Sequence, residues 1–131
     1  MTDAATPPAF FFVKINVKDM ARMLDFYDRA FGLKGVNTIE SDTYVEVLCA
    51  TAGMEKGPYV ILFYNKDDRE ISLGNGWGPV GFFVTGVDSA YKHAIAQGAT
   101  SHKEPYDSSG FRIAWVLDPE GHEIELVGSA G

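Results

Sequence analysis

Apolar and polar positions alternate in two separated blocks of this chain, and within each block the period of the alternation changes. From Phe12 to Val17, Val13, Ile15 and Val17 share one face while Phe12, Lys14 and Asn16 share the other, the two-residue repeat of a strand. The repeat then lengthens. Met20, Met23, Leu24, Tyr27 and Phe31 recur every three or four residues, which predicts an amphipathic helix with Asp19 as its N-cap and Gly32 as its stop. Strands are predicted near 35–40 and 43–49, and after a Gly- and Lys-containing turn the almost unbroken apolar run Tyr59 to Asn65 predicts a strand covered on both faces.

Residues 66–78 are polar, with two adjacent aspartates and three glycines, and predict a linker carrying a hydrogen-bonded turn at Gly74-Asn75-Gly76. The pattern then restarts. Pro79 to Val84 reads as a strand, Asp88 as the cap of a helix that turns Tyr91, Ala94 and Ile95 inward and ends at Gly98, and strands follow near 99–104, 111–117 and 122–127. Both halves therefore run β-α-β-β-β, a duplicated module of about 65 residues. A four-stranded sheet with a helix on one face leaves its other face open, so two such modules can enclose a cleft. The expected fold class is α+β, with two β-α-β-β-β modules forming curved sheets around a cleft. The expected layout is one domain over 10–128, made of module one (10–65), a linker (66–78) and module two (79–128), behind an N-terminal arm (1–9).

Composition narrows the partners. The 131 residues suit one domain, and 46% hydrophobic content suits a globular one. A formal charge of −7, with eleven scattered Lys and Arg, lacks the basic face that nucleic acid or an acidic membrane surface requires. The start MTDAATPPA has no basic n-region, and no apolar run approaches the roughly 20 residues of a membrane span, so a cytoplasmic location is expected. Cys49 is the single cysteine, which rules out an intrachain disulfide and reads as a small buried hydrophobe.

The start VKINVKDMARMLDFYDRAFGL, the repeated module and the ending LDPEGHEIELV resemble the vicinal oxygen chelate superfamily of glyoxalases, bleomycin-resistance proteins and extradiol dioxygenases, over about residues 10–128. In glyoxalase-like members, four side chains from four strands hold a divalent metal. Carried over position by position, these fall on Phe12, Ile61, Pro79 and Glu125, of which Glu125 alone has a donor. The dioxygenase-like set of two histidines and a glutamate fails at Phe12 and Pro79. No metal and no cofactor are therefore expected. Of the histidines, His93 is expected in solvent, His102 on an edge-like strand, and His122 on the side away from the cleft.

Strand parity then predicts the cleft lining. Phe12, Lys14 and Asn16 come from the first strand, Ile61, Phe63 and Asn65 from the fourth, Gly81 and Phe83 from the fifth, and Glu125 from the last. A four-residue turn at 118–121 would pair Leu117 with His122, adding Arg112, Ala114 and Val116 to the cleft and leaving Trp115 in the core. In this reading the aromatic rings wall a ligand, Lys14 and Arg112 meet an anionic or carbonyl group, and Asn16 and Asn65 orient it. The competing reading is a closed core, which the number of polar groups opposes. The resemblance also directs Asn65 toward a glutathione, as in glyoxalase I, but the arginine it implies on the first strand is Asn16 here.

The expected function is metal-independent binding of a small, partly apolar or aromatic molecule, as in bleomycin-resistance proteins. The alternative is a glyoxalase-like lyase or isomerase. It would be metal-free, with Glu125 abstracting a proton alpha to a carbonyl, or metal-dependent if the strand alignment is shifted. The resemblance further implies a homodimer, for which Trp77 and Phe10-Phe11 are the expected contact residues.

Overall fold

A computed structural model describes residues 6–130. Of the predicted arm, residues 1–5 lie outside the described residues, and 6–9 carry no helix or strand. The first half forms β1 (Phe12–Asn16), α1 (Met20–Phe31), β2 (Lys34–Glu40), β3 (Tyr44–Ala50) and β4 (Tyr59–Asn65). The second forms β5 (Val80–Phe83), α2 (Val87–Ala96), β6 (Thr100–Ser108), β7 (Phe111–Leu117) and β8 (Glu123–Ser129). The strands make two four-stranded sheets of matching topology, ordered β1-β4-β3-β2 and β5-β8-β7-β6. In each, the first strand runs parallel to the last of its half, an arrangement that needs a crossover, and the helix is part of it. The fold is α+β, as the double period in the sequence implies.

Local chemistry sets the helix ends. The Asp19 carboxylate accepts the Arg22 amide at 3.1 Å, and Gly32 ends α1 in the left-handed region at φ 66°, where a side chain would be strained. The second helix differs from expectation. Its N-cap is Gly86, with no side-chain cap, and Asp88 sits in the first turn, where its carboxylate meets Arg112. Residues 66–78 form no helix or strand, and Asn75-Gly76 is a bend rather than a hydrogen-bonded turn.

One core joins the halves. Ile15, Val17, Val47, Cys49 and Leu62 cover α1 from the first sheet, Ala114, Val116, Ile124 and Leu126 cover α2 from the second, and Met23, Phe26, Tyr27 and Ala94 lie between. Phe31 of α1 stacks on Phe82 of β5 at 4.5 Å between ring centroids. The sheets thus meet through their helical sides. Among the described residues no helix is long and apolar enough to cross a membrane. Cys49 is buried as expected, and that burial pushes its thiol up to about 11, away from nucleophilic use.

The β7–β8 register corrects one sequence expectation. Leu117 pairs with Glu123, not His122, and Trp115 pairs with Glu125. The loop holds one more residue than a four-residue turn because Asp118 gathers it: its Oδ1 accepts the amides of Glu120 at 2.9 Å and His122 at 3.0 Å. A slip of one residue exchanges the faces of a strand. Ala114 and Val116 accordingly fill the core, Arg112 lies on their side, and Trp115 turns to the open face beside Glu125.

Candidate functional site

Each sheet keeps one face free of helix, and the side chains there follow from parity. On the first sheet Phe12, Lys14, Ile61 and Phe63 lie on one face, around a residue the sequence pattern did not single out. Lys14 Nζ lies 3.2 Å from Glu46 Oε1, and it sits 4.8 Å from the Phe63 ring centroid and 5.4 Å from that of Phe12. Tyr44 stacks on Phe63 at 5.0 Å. Ile61 and Leu48 form a buried apolar floor outside the main core, and Glu46 is only 8% exposed. A readable sign existed for Glu46: it is the single charge inside YVEVLCA, a strand otherwise apolar on one face and nearly so on the other. Further along the same two strands Asn65 Nδ2 donates to Asn16 Oδ1 at 3.5 Å.

The open face of the second sheet holds Glu125, Phe83 and Trp115. Glu125 stands between Gly81 and Trp115 in the register, and its carboxylate makes no hydrogen bond or ion pair with the other described residues. Gly81 leaves a notch beside it, since a Cβ there would touch nothing nearer than 4.0 Å. Phe83 is 75% exposed. Trp115 Nε1 donates to the Tyr106 hydroxyl at 3.0 Å, the Lys103 ammonium sits 5.3 Å above its ring, and the nearby His102 pairs with Glu123 at 3.3 Å.

Arg112 is not part of either open face. It reaches Asp88 of α2 at 3.1 Å and Asp107 at 3.3 Å, so its guanidinium ties the edge of the second sheet to its helix. Among the described residues, no hydrogen bond, ion pair or ring contact joins an open-face side chain of one sheet to one of the other, so Glu125 and Lys14 do not meet within the chain.

The turn between β7 and β8 has a different task. Glu120 reaches back to the first half, accepting the amides of Lys18 at 2.7 Å and Asp19 at 2.8 Å at the entry to α1. Tyr27 donates its hydroxyl to Asp118 Oδ2 at 2.6 Å, and His122 places Nδ1 2.8 Å from Asp118 Oδ2 and Nε2 3.1 Å from the carbonyl oxygen of Asn16. His122 is indeed off the open faces, as expected, but it is bonded across the two halves. His93 is exposed, as expected, yet also bonded, its Nε2 lying 2.7 Å from the Arg29 carbonyl of α1.

A divalent metal does not fit these residues. Phe12, Ile61 and Pro79 have no side-chain donor, Glu125 alone does, and no group of three His, Cys, Asp or Glu among the described residues is placed to hold an ion. The same chain nonetheless matches the family model described as the Glyoxalase/Bleomycin resistance protein/Dioxygenase superfamily over residues 9–126, and it belongs to that family. It is similar to the lactoylglutathione lyase of Escherichia coli O157:H7, 31% identical over 117 residues that span 86% of this chain and 87% of the relative. Among solved structures it is similar to the trypanothione-dependent glyoxalase I of Leishmania major, with a TM-score of 0.81, 26% identity, and coverage of 93% of this chain and 87% of that one. Glyoxalase I from Zea mays matches with a TM-score of 0.81 and 25% identity, this chain being 89% covered but spanning only 44% of the maize chain.

Proposed function

We propose that this protein is a glyoxalase-like lyase or isomerase that acts on a small carbonyl compound without a bound metal, with Glu125 as the proton-moving group. The observation that carries the reading is Glu125 itself. It stands at the place the resemblance gives to a metal-binding acid, but among the described residues it has no further metal donors beside it and no hydrogen bond or ion pair to occupy it, which suits a base. It would take the proton alpha to the carbonyl, the C–H pair forming a C=C bond while the carbonyl π pair moves to oxygen. In an α-hydroxy carbonyl compound, returning that proton to the former carbonyl carbon, while the hydroxyl oxygen forms the new C=O and its proton passes to the former carbonyl oxygen, completes an isomerisation with no change in oxidation state overall. The relatives' names support the reaction class, and the donor chemistry supports the absence of a metal.

The site so read needs both open faces. A second copy supplies the missing wall if the first sheet of one protomer faces the second sheet of the other, an exchange that a two-fold axis repeats to give two equal clefts. Exposed Phe83, Phe12 and the 86%-exposed Trp77 support such a contact.

Turnover of lactoylglutathione and of simple α-oxo and α-hydroxy carbonyl compounds, measured with a strong chelator present, tests the reading. Activity that persists in chelator and drops by roughly a hundredfold or more in Glu125→Gln is expected. Activity that appears only on adding a divalent ion would overturn it. A second reading, a ligand-binding protein of the bleomycin-resistance kind, draws support from the aromatic rings gathered around Lys14; tight ligand binding with no turnover in either form would favour it.

A further inference from the structure

We propose that the Lys14–Glu46 pair sets the ligand specificity of the first sheet's open face, which takes the oxygen of an uncharged aryl carbonyl compound in preference to an aryl carboxylate. This rests on reading that face as a small-molecule site.

The pair is unusual in its placement. No helix covers this face, yet Glu46 is only 8% exposed, shielded by its neighbours, and the ammonium it holds is packed against two aromatic rings. Holding an ion pair in such a place costs desolvation that packed apolar side chains would not incur, so stability does not explain it. Its chemistry does suggest a use. An ammonium has three N–H donors, and Glu46 holds it as an ion pair at 3.2 Å, leaving donors for an incoming oxygen on a side chain that remains 40% exposed.

Charge decides which oxygen. Lys14 and Glu46 together are neutral, so an arriving carboxylate finds its attraction to the ammonium largely cancelled by Glu46 and must still lose its own hydration. A ketone or aldehyde oxygen loses far less on desolvation and still gains a charge-assisted hydrogen bond. The body of the ligand is set by what surrounds the ammonium. Phe12 and Phe63, with Tyr44 stacked behind, offer ring surface, and Ile61 and Leu48 lie below, so a flat aromatic body suits the floor and walls. Arg112, the other cation the sequence suggests for this role, is tied to Asp88 and Asp107 on the other side of its sheet and supplies no countercharge. Glu46 touches Lys14 and acts through it, as a positioning residue.

Two flat probes of nearly equal size separate the possibilities: acetonaphthone, which is neutral, and naphthoate. Each is titrated into the full-length protein and followed by backbone amide shifts, in wild type, Glu46→Gln and Lys14→Met, after circular dichroism has confirmed the fold of each variant. The wild type should bind the ketone roughly tenfold more tightly than the carboxylate, with shifts centred on Lys14 and Phe63. Glu46→Gln should reverse the order, because the bare ammonium then attracts the anion, and Lys14→Met should weaken the ketone several-fold. A purely structural pair would not invert a ligand preference. Equal or tighter naphthoate binding in the wild type, or an unchanged preference in Glu46→Gln, overturns the inference while leaving the turnover experiment with Glu125→Gln untouched. Failure of both probes to bind removes this inference and the small-molecule reading of the face together. Should Lys14→Met not fold, the reversal in Glu46→Gln decides alone.

Discussion

His122 has an acceptor at each ring nitrogen: the Asp118 carboxylate at Nδ1 and the Asn16 carbonyl at Nε2. A carbonyl oxygen cannot donate and an ionised carboxylate cannot either, so the arrangement is fully satisfied only when both nitrogens carry protons. Burial works against the imidazolium, but the hydrogen bond and charge of Asp118 outweigh it, and the folded-state pKa lies above the ordinary 6.5. For Asp118 burial would raise the acid, but the bonds from His122 and Tyr27 prevail and hold it below the ordinary 3.8. Tyr27 is raised far from titration by burial and by Asp118, so it remains a donor throughout. The signs then follow. The His122 contribution is complete below 6.5 and fades as pH rises through its raised folded value; the Asp118 contribution is complete above 3.8 and fades as pH falls through its lowered one. Chemical denaturation of His122→Gln against wild type should therefore show a cost of about 2 kcal/mol near pH 6 that shrinks as pH rises through the raised folded-state value. A cost that is flat over that range would mean the imidazole is neutral in the folded state. Tyr27→Phe should cost about 1–3 kcal/mol, because it leaves a buried carboxylate one donor short. At this scale the sequence was legible where chemistry is local: the turn residues DPEGH announced a bracketed loop. The partners Tyr27 and Asn16 lie about a hundred residues away and could not be read from it.

At the scale of elements, the strands and helices followed from period, because one face of each is buried and alternation records that burial. The β7–β8 face assignment did not follow. One residue in a loop decides which side Trp115 and Arg112 occupy, and the Asp118 side chain, not the strand pattern, takes up that residue. The same limit applied to the cap of α2, where Asp88 had the right residue type but Arg112 claimed it from the neighbouring strand. The register also explains Gly128. Its position faces the start of α2, where a Cβ would lie 2.6 Å from the Val84 carbonyl oxygen and 3.0 Å from Val87 Cγ2. Gly128→Ala should cost about 1–3 kcal/mol or prevent folding, since backbone, not a mobile side chain, blocks the added methyl; an unchanged denaturation midpoint would show that β5 and α2 can part from β8 more easily than their packing indicates.

For the whole molecule, the duplicated period announced two sheets and the resemblance announced the family. Which surfaces meet was not written in either half, because each sheet carries an apolar-enough pattern on both sides. The structure turns the helical sides together and leaves Phe83 and Phe12 outward. If a second copy covers them, Phe83→Glu should yield a folded monomer by sedimentation, with its secondary structure intact because the wild-type ring is already 75% exposed within the chain. A wild type that sediments as a monomer at micromolar concentration would remove the dimer and the shared cleft with it.

The loop from Asp118 to His122 also has a consequence for the order in which the chain is made. Glu120 completes the entry to α1 and Asp118 completes Tyr27, yet both reach the ribosome exit after every strand of the first sheet and all but one of the second. The first half, although synthesised whole long before, has unpartnered amides at Lys18 and Asp19 and an unanswered tyrosine hydroxyl until the final hairpin emerges. Nascent chains arrested before residue 118 should then be cleaved by protease within the first half, and chains extended through β8 should resist, which places the locking of the earliest sheet at the end of translation.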